Sequence, residues 1–225
     1  MKYPNAANGV KKIFTAEILT LIAGLCSFVG AILMLVALIS GTSAAKTSSD
    51  AAAASALITG VVSTPFIIAA AVLGIIAFIL NIVGIGKASK DEPAFKIAFY
   101  AVFANIVIAV ISAIFSGNSF VVSLMQTLSS VATLMVTLYV IQGIRNLSLR
   151  LNDHEMDDKG RTLFMIILVV LLVEFAASMT ATIFHAFAGS VVAAVLLLIA
   201  TVLSLVQYIL YLSYLAKAKK MLESN

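Results

Sequence analysis

The chain has 225 residues, of which 62% are hydrophobic and only 11% charged, with a formal net charge of +4. A soluble domain is about 45–50% apolar and about 25% charged, and a chain this short cannot hide so much apolar surface in one core. The basic balance does not point to nucleic acid, because the lysines and arginines sit at the ends of apolar runs and form no patch.

The apolar residues come in long uncharged runs, the pattern of helices that face lipid. In chain order the runs predict membrane helices over residues 13–40, 65–86, 93–116, 119–144, 162–186 and 190–215. Each has at least ~20 residues, enough to cross a hydrocarbon core about 30 Å thick. The first run is too long for the ~7–15-residue core of a signal peptide and reads as a retained helix. Its one cysteine, Cys26, is the only one in the chain and excludes an intrachain disulfide. Glu17, just past Lys11 and Lys12, is placed to reach the interface and pair with them.

In the second run, apolar character begins near Ala51, but Pro65 lies inside it after Ser63 and Thr64. Threonine is a good N-cap and proline favours the first helical position, so a separate start at Pro65 is preferred to one long kinked helix. Residues 51–63 are then a short helical or interfacial segment. Short connections at Gly117-Asn118 and around residues 187–189 leave no room for an extramembrane domain there and favour three antiparallel hairpins. The expected fold class is therefore all-α: a polytopic integral membrane protein forming a bundle of six transmembrane helices, a single membrane domain over 1–225.

Charge gives the orientation. Lys2, Lys11, Lys12, Lys87, Lys90, Lys96, Arg145, Arg150, Lys159, Arg161, Lys217, Lys219 and Lys220 fall on one side of this topology, and Lys46 alone on the other. By the positive-inside rule the first side is cytoplasmic, and an even number of spans puts both termini there. The expected location is the cell membrane. Tyr100, Tyr139, Tyr208, Tyr211 and Tyr214 lie toward the basic ends, as an interfacial belt would. Residues 94–115 can be laid over 163–184 without a gap, which is what a duplicated hairpin, or merely two hairpins obeying one charge rule, would produce.

Glu174 is the most informative residue. It lies thirteen residues beyond Arg161 and eleven before His185, so about 16–20 Å from either end of its helix. A charge there costs roughly 2.5–3.5 kcal/mol, so the carboxyl should face the protein or be protonated. Ser178, Thr182 and His185 follow at four, eight and eleven residues, within about 80° of it on the helical wheel. This polar stripe is either the lining of a hydrated path or hydrogen-bonding glue between helices. In the overlay Asn105 falls opposite Glu174 and is a candidate amide partner. Gln126 and Gln207 are further embedded amides.

Asp153, Glu155 and Asp157 alternate as in a calcium loop, but the glycine comes at the eighth position and Phe164 stands at the twelfth, which rejects that motif. The acids are placed instead to favour the start of helix five. Asn146-Leu147-Ser148 matches a glycosylation triplet on the cytoplasmic side, where it should not be used. There is no Walker loop, HExxH, GxSxG or dinucleotide fingerprint, and the two histidines lie on opposite sides of the membrane. The expected role is a non-enzymatic membrane accessory or assembly component without a cofactor. Its partners are the bilayer and other membrane proteins or a second copy, packing through small residues such as Ala23, Ser27 and Ala31. A small transporter using the Glu174 stripe is the alternative, and an intramembrane enzyme comes last. A reporter inserted after Lys46 is expected to be labelled by a membrane-impermeant reagent on intact cells; protection there would overturn the topology.

Overall fold

A computed structural model describes the backbone of residues 2–44, 49–187 and 190–224, and the side chains of 2–34, 63–173, 199 and 201–224. The described backbone is six helices: α1 Pro4–Ala44, α2 Ser49–Ala88, α3 Pro93–Ile114, α4 Ser119–Arg150, α5 His154–Phe187 and α6 Ser190–Ser224. Five helical stretches among the described residues are long and apolar enough to cross a membrane: Pro4–Met34, Ser63–Ala88, Pro93–Ile114, Ser119–Arg150 and Thr201–Ser224. The described backbone is thus all-helical, and its long apolar helices point to a membrane protein. The remaining expected span, 162–186, runs onto residues whose side chains lie outside the described set.

Two features of the helices differ from the sequence expectation. First, Pro65 does not start a helix, because α2 runs unbroken from Ser49 through it. Proline removes one ladder hydrogen bond, but ending a helix in a medium without water strands several backbone groups, so continuation is the cheaper outcome. Second, helices run past their apolar stretches. α1 begins at Pro4, α4 reaches Arg150 and α6 reaches Ser224. These extensions are half-buried, with Ala6, Ala7, Val10, Leu147, Ala218 and Leu222 turned inward.

Local chemistry sets the turns. Glu92 is extended ahead of Pro93, which occupies the first position of α3. Asn118 caps α4 by accepting from the amides of Phe120 and Val121, at 3.1 and 3.2 Å. Between α4 and α5 the amide of Asp153 donates to the carbonyl of Ser148 and that of Asn152 to Leu149, at 2.9 and 3.2 Å. That is a Schellman ending, and it needs a left-handed residue, which Asn152 supplies with φ 57°. Asp153 then caps α5, accepting from the Met156 amide at 3.0 Å.

The chain divides into two compact units. The larger comprises Met1–Phe14 with Ile82–Asn225, the smaller Thr15–Asn81. In the larger unit α3 packs on α4, α4 on α5 and α5 on α6. Its core draws Ala6, Val10 and Ile13 from the start of α1 and Ile85 and Ala88 from the end of α2. Phe95 and Ala98 come from the start of α3, Ile144 and Leu147 from the end of α4, Met156 and Leu163 from the start of α5, and Leu215 and Leu222 from the end of α6. Odd helices contribute their first turns and even helices their last. The basic residues belong to these same turns, so the best-packed part of the unit is its basic end. Tyr211 and Tyr214 are buried in this core, at 6% and 4% exposure, rather than displayed in an interfacial belt; Tyr100 is exposed.

Backbone contact is closest at two glycines of the larger unit. A Cβ on Gly9 would stand 2.5 Å from the Gly84 carbonyl oxygen, and one on Gly84 would stand 2.8 Å from that of Gly9. α1 and α2 therefore meet backbone to backbone here. In the smaller unit Gly30 faces Phe66 and Ile67 at ordinary van der Waals distance, while Ala23, Ala70 and Ala77 are buried. Large side chains such as Phe28 and Ile75 are exposed and are left for lipid. Gly9→Ala is expected to lower the melting temperature of the purified chain, as overpacking costs about 1–3 kcal/mol. Gly24→Ala, where nothing lies within 4 Å, should leave it unchanged; equal melting of the two variants would remove the close contact.

Candidate functional site

α4 carries Ser123, Thr127, Ser129, Ser130, Thr133 and Thr137 within its apolar span. Hydroxyls in a helix without water to bond turn to their own backbone. Thr127 donates to the carbonyl of Ser123 at 3.1 Å, Ser130 to that of Gln126 at 3.0 Å and Thr137 to that of Thr133 at 3.3 Å. Two of them reach across to α3 as well. Asn105 Nδ2 donates to Thr133 Oγ1 at 2.9 Å, and its Oδ1 accepts from Ser129 Oγ at 2.6 Å. Asn105 is twelve residues into α3, about 18 Å along it, so both ends of its amide are bonded to α4 at mid-span.

Beside this bridge lies a cavity of about 350 Å³. Ser129, Ser130, Thr133 and Thr137 form its α4 wall, Ile167 and Leu171 its α5 wall, and Gln207 reaches it from α6. All the described polar groups that line it are neutral. Ser130 and Thr137 donate to backbone carbonyls and Ser129 to Asn105 Oδ1, so these three turn acceptor lone pairs to the cavity, beside the Gln207 amide. Such a lining can hold water or a small polar solute, and among the described residues that form it no nucleophile stands beside a base.

Of the residues singled out from sequence, Asn105 is at the site, bonded to Ser129 and Thr133. Gln207 lines the cavity. Glu174, Ser178, Thr182 and His185 are all in α5, and their side chains lie outside the described residues. The α4 hydroxyls were missed, although their signal was present: Ser129, Thr133 and Thr137 recur every four residues and so share one helical face.

The ionised groups cluster at the basic end of the larger unit. Glu92 is 3% exposed. Its Oε1 accepts from Asn146 Nδ2 at 2.7 Å, and its Oε2 lies 2.8 Å from Arg150 Nη2 as an ion pair without an aligned hydrogen bond. Asp91 receives the Asn5 amide and the backbone N–H of Ala6, at 2.9 and 2.8 Å, so a residue of the α2–α3 turn caps the positive end of α1. Arg145 Nε pairs with Asp157 Oδ1 at 2.8 Å, joining α4 to α5. Lys11 lies 3.8 Å from Glu223, joining α1 to α6. Asp153 and Asp157, read above as a rejected calcium loop, thus serve as helix cap and ion-pair partner, and no cluster of three or more metal-ligating side chains occurs among the described residues. The hydrogen bond from Lys159 holds the exposed Glu155 carboxyl below its ordinary range, with the charge of Lys159 adding to it. What this pair contributes is present above the ordinary glutamate range and is lost as pH falls through the lowered value.

Removing the bridge should be measurable. Asn105→Ala is expected to destabilise the chain in detergent unfolding, with a coupling to Thr133→Ala of about 0.6 kcal/mol and at most about 1.7 in a double-mutant cycle. Additive losses would show the two side chains to be independent. Comparison with protein-family models, with curated proteins and with solved structures finds no match for this chain.

Proposed function

We propose that this chain is a non-enzymatic component of the cell membrane, an accessory or assembly factor that works by packing against other membrane proteins or a second copy of itself. In this reading it forms six spans as three antiparallel hairpins, with 162–186 as the fifth span and both termini in the cytoplasm. The alternation of helix starts and ends in the core supports the hairpins, and thirteen basic residues against one support the orientation.

The observation that carries the functional reading is how the polar groups are used. Among the described residues, Asn105, Ser129 and Thr133 bond one another, other α4 hydroxyls bond their own helix, and the ion pairs lie at the basic end. A pathway for ions or protons needs ionisable or unengaged polar groups in succession across the membrane. Here the interior polarity serves as glue between helices.

A small transporter or channel is the second reading, favoured by the hydroxyl-lined cavity of about 350 Å³. Glu174 follows Leu171 by three residues and Ile167 by seven, so helical register puts its position on the face of α5 that walls the cavity. The full chain in proteoliposomes under a pH gradient separates the two. The expected result is proton flux equal to that of empty vesicles for both wild type and Glu174→Gln. Flux in the wild type that vanishes in Glu174→Gln would transfer the assignment to the transporter.

A further inference from the structure

A second cavity, of about 370 Å³, lies between α5 and α6 at the basic end. Its size is within the ~300–1,000 Å³ usual for small-molecule sites. Its lining changes character in order along both helices. At the outer level stand Glu155, Asp158 and Lys159 of α5 and Lys217 of α6. One turn further in come the hydroxyl residues Thr162 and Ser213. Beyond them Ile166 and Leu210 form an apolar wall. On α5 the residues 155, 158, 159, 162 and 166 share one helical face, and on α6 so do 210, 213 and 217. With Leu163 and Tyr214 beside the hydroxyls, the lining runs from charge through a mixed hydroxyl level to hydrocarbon, along the direction in which α5 enters its apolar run and against that in which α6 leaves its own.

That sequence of environments matches a phospholipid taken end to end: charged headgroup, ester region, acyl chain. The charges also select among headgroups. Two acidic and two basic residues line the cavity, so its lining is neutral overall. Glu155 and Lys159 are paired with each other, while neither Asp158 nor Lys217 forms a salt bridge among those found for the described residues. Lys217 also bears on Glu155, whose carboxyl its charge helps lower; that one carboxylate balances only one of the two ammonium groups, so one positive charge and the Asp158 anion are left over for a ligand. A purely anionic headgroup would satisfy Lys217 and be repelled by Asp158. A headgroup carrying an ammonium beside its phosphate satisfies both, as phosphate meets Lys217 and ammonium meets Asp158.

We infer that the cleft between α5 and α6 is a binding site for a phospholipid with a zwitterionic, ammonium-bearing headgroup. The phosphate is held by Lys217, the ammonium by Asp158, and the first part of an acyl chain lies against Ile166 and Leu210. The inference is independent of whether the protein is an accessory factor or a transporter.

The test uses the full chain, reconstituted in nanodiscs of equal phosphatidylethanolamine and phosphatidylglycerol, released into mild detergent and read by native mass spectrometry. Phosphatidylethanolamine is expected on the protein at about fivefold over its share, the order of one interfacial charge contact. Asp158→Asn should abolish the preference while leaving total bound lipid similar. Ile166→Trp should displace the lipid while circular dichroism shows unchanged helicity. Lys90→Ala, a basic-end residue outside the cavity, should change neither. Equal retention of the two lipids by the wild type overturns the proposal without reference to any variant. Displacement of the lipid by free phosphoethanolamine at equal concentration also overturns it, since the site would then recognise a soluble headgroup and not a membrane lipid.

Discussion

Lipid tails are as good a neighbour for leucine as another helix is, so apolar burial alone cannot tell these helices where to stop and whom to touch. Everything specific in the larger unit follows from that constraint. Its helices are held at one end by contacts that lipid cannot imitate. Gly9 and Gly84 let two backbones meet, which no acyl chain does. The ring of Phe95 fills the space where Gly143 has no side chain, a Cβ there falling 2.6 Å from the ring. The carboxylate of Glu92, nearly sealed from solvent, is compensated by Asn146 and Arg150 from the end of α4. A buried carboxylate offsets its desolvation only when such partners are in place, so the α2–α3 turn and the end of α4 define each other.

Further along the helices the rules change. There the side chains that remain exposed are large and apolar, Ile75, Ile114 and Val169 among them, and polar atoms must be satisfied from within. α4 meets this requirement by turning its hydroxyls onto its own carbonyls and by sharing two of them with Asn105. The same requirement carries α2 through Pro65, since one lost hydrogen bond is a smaller defect than an open helix end in hydrocarbon.

This division explains what could be read from sequence. Helix existence was legible because long uncharged runs have only one stable form in lipid, and the basic residues were legible as one set because they cap those runs. The ends were not. Hydropathy marks where a helix leaves hydrocarbon, whereas Pro4–Val10 and Lys217–Glu223 stay helical because alanines, Val10 and Leu222 pack into a core outside the reach of that signal. Nothing in the sequence marks Glu92, since its burial depends on Arg150, 58 residues away. Tyr211 and Tyr214 had the spacing of an interfacial belt, and whether such a ring faces lipid or protein is decided by neighbouring helices. Asn105 was recognised as a mid-membrane amide; its partners could not be, because a stretch rich in serine and threonine gives the same composition whether its hydroxyls bridge helices or only permit close packing.

α5 is where the two cavities become related. Its residues 155–166 wall the charged cleft shared with α6, and one residue further Ile167 walls the neutral cavity shared with α4. A single step along an α-helix turns the side chain by about 100°, so α5 changes which neighbour it opens toward just as its environment passes from ionised groups to hydrocarbon. α6 does the converse, with Gln207 at the neutral cavity and Leu210 at the charged one. The two helices therefore cannot shift against each other without altering both spaces. A ligand wedged between them at the basic end would bear on the width of the neutral cavity deeper in.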